Sequence, residues 1–247
     1  MSAAAFRLPA LYPIVNVADA GAEARERAFA LAVELAEGGA TLLQLRAKAL
    51  AAGAMTQLAA RIVEALAGSG TQVIVNDRAD VAAACAAAGV HLGDEDLPVE
   101  AARRVLRAPL AEPARRAFAA PPGSPRAPGA GAADVAPPPI VGYSTHGVLE
   151  AAAASASGAD YLGFGPVFES PTKAGVRDAR GLTALAAACR ATTLPVVAIG
   201  GVTLETAPGC WRAGAASVAV ISEIERSGDR RALVAAYRRA ASEAGLG

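Results

Sequence analysis

Leu42-Leu43-Gln44-Leu45-Arg46 is a short apolar run that ends on a guanidinium, with Lys48 just beyond it. Side chains alternate across a β-strand, so Gln44 and Arg46 share one face while Leu43 and Leu45 share the other. A helical stretch, Met55–Leu66, follows and is closed by Gly68-Ser69-Gly70. The unit is one polar-tipped strand and one helix, and it recurs in both directions along the chain. Further runs ending in polar or glycine residues stand at Leu11–Asn16, Val73–Asp77, Gly89–Gly93, Ile140–Ser144, Tyr161–Gly165, Val196–Gly201 and Ser217–Ser222, eight in all. Eight strand–helix repeats predict an α/β chain folded as a (β/α)8 TIM barrel, with its chemistry at the C-terminal ends of the strands.

The helical segments between the runs are rich in alanine. Ala22–Glu37 carries Ala28, Leu31, Ala32 and Leu35 at helical spacing and ends at Gly38-Gly39. Ala79–Ala88, Pro98 to about Leu106, Gly147–Ser157, Leu182–Arg190, Leu204–Ala213 and Arg230–Ala244 complete the set. A chain of 247 residues suits one such barrel, which typically takes about 250, so a single domain over residues 1–247 is expected. One stretch breaks the rhythm. Ala108–Pro139 contains nine prolines and several glycines, a composition that buries too little apolar surface to order itself. It is expected to be a flexible insertion before the fifth strand, on the face opposite the chemistry, with a short helix inside Glu112–Ala120 as its one ordered part.

Composition removes several function classes. The 23 basic and 23 acidic residues cancel, and no long basic block marks a nucleic-acid surface. No apolar run approaches the roughly 20 residues that span a bilayer, and Met1–Pro9 lacks a signal pattern. Cys85, Cys189 and Cys210 have no metal-ligand spacing and are expected to be buried thiols. These features predict a cytoplasmic protein with small-molecule partners, no nucleic acid and no membrane, and leave a homo-oligomer open.

The strand ends suggest two anion sites and one cation site. Gln44, Arg46 and Lys48 place an amide and two cations where a phosphate could dock. Asn76-Asp77 ends the third run, and Asp94-Glu95-Asp96 follows the fourth. Carboxylates from neighbouring strand ends can share Mg2+, which favours one or two carboxylates plus substrate phosphate and water. The competing account is that Asp94 and Asp96 cap the helix near Pro98. His91 reads better as a hydrogen-bonded interior residue than as a ligand. Ser144 either donates into the mouth or caps the next helix. After the sixth run, Ser170, Thr172 and Lys173 set two hydroxyls and an ammonium within four positions, a candidate phosphate cradle on the long loop Pro166–Arg180. Gly200-Gly201 and Ile221-Ser222 end the last two runs, where phosphate sites recur in barrels. No Ser–His–acid arrangement supports nucleophilic hydrolysis. The pattern asks for a substrate bearing a diphosphate with Mg2+ and a second bearing a monophosphate.

These segments, in this order, resemble the thiamine-phosphate synthase family. Gln44-Leu45-Arg46-Ala47-Lys48, Val75-Asn76-Asp77-Arg78, Gly89–Gly93 through Asp96, Gly142–Thr145, Gly163–Lys173, Ala198–Gly201 and Val220–Ser222 carry the resemblance. It implies a transferase that joins 4-amino-5-hydroxymethyl-2-methylpyrimidine diphosphate to 4-methyl-5-(2-phosphoethyl)thiazole, or its carboxylated form, and releases pyrophosphate. It further implies that Gln44, Arg46, Lys48 and Asn76 hold the pyrimidine diphosphate, and that Asp77 and Asp96 bind Mg2+. Ser144 would meet the pyrimidine substrate. Ser170 and Thr172 would meet the thiazole phosphate, and Lys173 the diphosphate. Gly201, Ile221 and Ser222 would seat the thiazole phosphate. By the same resemblance Arg46, Lys48, Ser144 and Lys173 carry the chemistry. Asp94 stands where the family commonly has glutamine, Ser170 replaces a common threonine, and the insertion is longer than usual.

Three other readings compete. A thiazole tautomerase barrel would bind the thiazole phosphate without the Mg2+ carboxylates, and His146 could then shuttle protons; otherwise His146 is a surface histidine at a helix start. A non-catalytic phosphate sensor predicts binding without turnover. A phosphate-sugar isomerase needs a positioned acid–base residue, for which no further carboxylate is evident.

Overall fold

The computed structural model describes residues 6–108, 138–169 and 178–246. The strands are β1 (Leu11–Asn16), β2 (Leu42–Arg46), β3 (Gln72–Asn76), β4 (Gly89–Leu92), β5 (Ile140–Thr145), β6 (Tyr161–Phe164), β7 (Val196–Ile199) and β8 (Ser217–Val220). All pair in parallel with their sequence neighbours, and β8 returns to β1 through Leu11↔Val218 and Tyr12↔Ala219, which closes the barrel. The expected (β/α)8 TIM barrel is borne out.

Among the described residues the helices are α1 (Ala22–Glu37), α2 (Ala52–Ala65), α3 (Ala79–Ala84), α4 (Val99–Arg107), α5 (Val148–Ala154), α6 (Gly181–Ala191), α7 (Ala207–Arg212), α8 (Ser222–Arg226) and α9 (Arg230–Glu243). None is long and apolar enough to cross a membrane. α1 stops as expected: Gly39 takes φ +91°, and the Ala40 N–H reaches back to the Leu35 carbonyl at 3.0 Å. α9 starts on Asp229, whose side chain accepts the Ala232 N–H at 2.9 Å. Arg230 on Glu34 (3.1 Å) and Arg231 on Glu37 tie α9 to α1 where the helix ring meets itself.

Alternation divides the strands between two cores. Leu43, Leu45, Val73, Val75, Val90, Leu162, Val196 and Val218 face outward and are buried against the helices. Tyr12, Ile14, Leu42, Ile74, Ile140, Tyr161, Val197 and Ala219 form a separate cluster inside the barrel. Each fully buried Leu or Ile contributes about 1.5–3 kcal/mol relative to exposure. Further along β2, β3 and β5 the same inward face carries Gln44 and Arg46, Asn76, and Ser144, so the interior changes from apolar to polar toward the strand ends.

Several expected boundaries shift for backbone reasons. β3 stops at Asn76 because Asp77 turns to φ +65°, and α3 stops short of Ala88 because Ala86 takes φ +53°. β7 stops before Gly200 and Gly201, at φ +96° and +63°. β8 stops at Val220, and Ser222 opens a short helix, α8, that the apolar pattern did not announce. The helix expected within Glu112–Ala120 lies outside the described residues. The chain re-enters the barrel under a clamp from α4. Arg103 bonds the Pro139 carbonyl (2.9 Å) and the Asp160 carboxylate (2.8 Å), which also accepts the Val141 N–H (2.7 Å).

Candidate active site

At the C-terminal mouth a cavity of roughly 1280 Å³ is lined from all eight strands, reaching Asn16, Gln44, Arg46, Asn76, Ser144 and Ser222. Gln44 and Asn76 are buried there, so their amides need partners. The Gln44 amide donates to the Tyr12 hydroxyl at 3.0 Å, and Arg46 Nη1 donates to the Asn16 side-chain oxygen at 2.8 Å. Asn16 was not singled out from the sequence. Its place at the inward end of β1, by the alternation that selected Arg46, was the signal available.

The three charged residues beyond these strands form one group. Lys48 Nζ lies 3.0 Å from Asp77 Oδ2. Asp96 Oδ2 accepts the Gly93 N–H at 2.7 Å. Burial first, and the neighbouring Asp77 carboxylate as well, hold the Asp96 carboxyl above the usual carboxylate range, while the Gly93 N–H and Lys48 oppose the shift. Two neighbouring carboxylates suit a hard divalent cation, whose remaining ligands would be substrate oxygens and water. The capping account is corrected: α4 has Pro98 at its N-cap with no side-chain bond, and Asp96 turns back to its own loop. Asp94 is exposed.

Ser144 does not cap α5, which begins after Gly147 with no side-chain cap; its Oγ lies 2.9 Å from His91 Nε2. His91 is the hydrogen-bonded interior residue expected. His146 corrects the surface reading. It lines the cavity, and its Nδ1 lies 2.8 Å from the Gly165 carbonyl oxygen. Its backbone N–H donates to Glu150 at the start of α5 (2.7 Å).

Gly201, Ile221 and Ser222 line the β7–β8 side of the same cavity. The glycines have a packing reason beyond ligand approach. A Cβ on Gly200 would lie 2.6 Å from Pro166 Cα, and one on Gly201 would lie 2.8 Å from Phe168 Cβ. The β6 loop bonds there through Val167 N–H to Ile199 O (2.8 Å) and Phe168 N–H to Gly200 O (3.0 Å). Ser170, Thr172 and Lys173 lie outside the described residues, whereas Phe168, Glu169, Asp178 and Ala179 on either side of them line the mouth. Of the thiols, Cys85 and Cys210 are buried and Cys189 half-buried.

Residues 11–111 and 128–224 match the family described as thiamine monophosphate synthase. The chain belongs to that family. The thiamine-phosphate synthase of Anaeromyxobacter dehalogenans (strain 2CP-C) is 42% identical over 239 residues, 97% of this chain and 90% of its own length. That of Chlorobium luteolum (strain DSM 273 / BCRC 81028 / 2530) is 36% identical over 190 residues, 77% of this chain and 76% of its own. The solved thiamine phosphate pyrophosphorylase from Pyrococcus furiosus superposes with a TM-score of 0.72 at 29% identity, covering 96% of both chains. The resemblance read from strand ends is thus borne out, and with it the assignment to a transferase of thiamine biosynthesis.

Proposed function

We propose that this chain condenses the pyrimidine diphosphate with the thiazole phosphate at the barrel mouth to give thiamine phosphate and pyrophosphate. The observation that supports it most is the Lys48–Asp77–Asp96 group just beyond the ends of β2 to β4, next along the chain from Arg46 and Asn76, which line the same cavity as Gly201, Ile221 and Ser222. A thiazole tautomerase has no use for that carboxylate pair, and a passive phosphate sensor is separated by its lack of turnover.

Arg46 and Lys48 hold the diphosphate by charge, with Gln44 and Asn76 fixing its approach. Ser144 contacts the pyrimidine ring from β5. Gly201, Ile221 and Ser222 seat the thiazole phosphate, with Ser170 and Thr172 as further hydroxyl donors and Lys173 directed at the diphosphate. Mg2+, held by Asp77 and Asp96, would supply neutralisation of the charge that builds on the departing diphosphate. The bond from the pyrimidine's exocyclic carbon to the diphosphate oxygen breaks, the electron pair leaves with oxygen, and the thiazole nitrogen captures the resulting cation. Such a reaction needs no protein nucleophile. It needs leaving-group charge stabilised where it develops, and two substrates held in line. The test is direct: purified protein with both phosphorylated heterocycles, with and without Mg2+, assayed for thiamine phosphate and pyrophosphate. Mg2+-dependent product is expected; binding of both heterocycles without product overturns the proposal.

A further inference from the structure

Five side chains from five strands form an unbroken hydrogen-bond chain across the barrel interior. The Gln44 amide donates to the Tyr12 hydroxyl at 3.0 Å, and that hydroxyl lies 2.8 Å from the hydroxyl of Tyr161. Tyr161 lies 3.1 Å from His91 Nδ1, and His91 Nε2 lies 2.9 Å from Ser144 Oγ. The rings are fixed by packing. Tyr12 meets Tyr161 edge-on at 5.8 Å, and His91 stacks on Tyr161 at 5.5 Å. Gly142 and Gly163 make the room, since a Cβ on Gly142 would lie 2.5 Å from His91 Nδ1 and one on Gly163 would lie 3.2 Å from its Cε1.

A hydroxyl gives one proton and accepts up to two, so the direction is set at Tyr12, whose buried hydroxyl takes the Gln44 N–H and has the Tyr161 oxygen as its remaining hydrogen-bond partner among the described residues. Tyr12 accepts from Gln44 and passes its own proton toward Tyr161, which passes its proton toward His91 Nδ1. Burial pushes both phenols well up, so neither gives up the proton this requires. A neutral imidazole that accepts at Nδ1 carries its hydrogen on Nε2. That hydrogen points at Ser144 Oγ, so Ser144 accepts from the histidine and keeps its own proton to donate elsewhere. The far end has the opposite character. Gln44 gives one of its two N–H groups to Tyr12, which fixes the amide and leaves its oxygen as an acceptor.

We propose that Tyr12, Tyr161 and His91 are positioning residues for the condensation: they hold His91 as the neutral Nε2–H tautomer and thereby make Ser144 a hydrogen-bond donor and Gln44 an acceptor toward the substrate. That pair is the complement of a heterocycle bearing a ring nitrogen and an exocyclic amino group. No proton is transferred, because the relay only sets which way each hydrogen points. The proposal rests on the assignment of Gln44 and Ser144 to the pyrimidine side.

The chain has only two histidines, so the full-length protein labelled with 15N-histidine gives a spectrum in which a His146→Gln variant identifies the His91 signals. At neutral pH His91 is expected to be protonated on Nε2 and bare on Nδ1. Tyr161→Phe removes the donor to Nδ1. It is expected to mix the tautomers and to lower kcat/KM for the pyrimidine diphosphate by roughly tenfold, with KM for the thiazole phosphate unchanged. A His91 protonated on Nδ1, an imidazolium, or a Tyr161→Phe variant unchanged in both readouts overturns the relay, as does an equal loss toward both substrates. If Tyr161→Phe fails to fold, Tyr12→Phe and the wild-type spectrum decide. Absence of turnover in a wild-type protein with the expected tautomer would instead indict the pyrimidine-side assignment.

Discussion

The two sides of the barrel mouth are built differently. The β2–β4 side presents full charges on side chains: Arg46 bonded to Asn16, and Lys48 against Asp77 beside Asp96. At the ends of β7 and β8 stand two glycines with left-handed backbone, Ile221 and the hydroxyl of Ser222. The difference corresponds to what each proposed ligand does. A departing diphosphate gains charge as its bond breaks, so fixed charges opposite it favour the transition state over the ground state. The thiazole phosphate is a spectator whose charge does not change. It needs placement, which backbone and a hydroxyl supply.

The largest expected effect breaks the charged side. Asp77 sits at φ +65°, a conformation that asparagine adopts at less cost than alanine. Asp77→Asn therefore removes the carboxylate without adding backbone strain. Turnover is expected to fall by roughly 10²–10³, and its response to added Mg2+ to disappear, with the melting temperature unchanged. If the variant instead raised only KM for the thiazole phosphate, the division of the mouth would be wrong.

The next effect probes the other side. Ser222→Ala is expected to raise KM for the thiazole phosphate by roughly tenfold, the usual worth of one hydrogen bond to a charged group, and to leave kcat at saturation and Mg2+ dependence intact. Steady-state kinetics with each substrate varied in turn separates the outcomes. A loss of kcat comparable to that of Asp77→Asn would mean that Ser222 acts on the reacting centre.

This asymmetry was partly legible before the fold was known. The rule that reads Gln44 and Arg46 as one face of a strand needs only a two-residue period, and eight such runs in order define which ends share a rim. His91 was also read as an interior residue, while Ser144 was left between the mouth and a helix cap. The sequence did not reveal the His91 partner Tyr161, nor that Tyr161 would meet Tyr12 across 149 residues of chain, because the stagger between strands is set by closure of the whole barrel. The left-handed turn at Asp77 was hidden for a different reason. Aspartate favours many turn types, and only the handover of its N–H to the His91 carbonyl at 2.8 Å selects this one. α8 was lost because five residues are too few for a helical period to stand out. Ser170, Thr172 and Lys173 were read from residue type and lie outside the described residues, so their roles rest on the resemblance.

The smallest expected effect concerns the segment between α4 and β5. The family match runs to residue 111 and resumes at 128, so residues 112–127 have no counterpart in the shared pattern. The last described residues of α4 and the start of β5 at Ile140 lie at the N-terminal face, away from Arg46, Asp77 and Ser222. Its re-entry is held by contacts that do not involve the unmatched residues, through Arg103 on Pro139, Gly158 and Asp160. Shortening a surface loop changes closure entropy only with the logarithm of its length, a fraction of a kcal/mol here. Deletion of 112–127 is therefore expected to leave kcat/KM for both substrates within about twofold and the melting temperature within about 3 °C, the shift that ~1 kcal/mol produces in a domain of this size. Arg103→Ala, by contrast, strands the Asp160 carboxylate and two backbone carbonyls at the same face. It is expected to lower the melting temperature while leaving KM for either substrate unchanged. If instead the deletion abolished turnover in a protein that still melts cooperatively, the insertion would be acting on the mouth from the opposite end of the barrel. The two-sided account of the site would then need a third contributor.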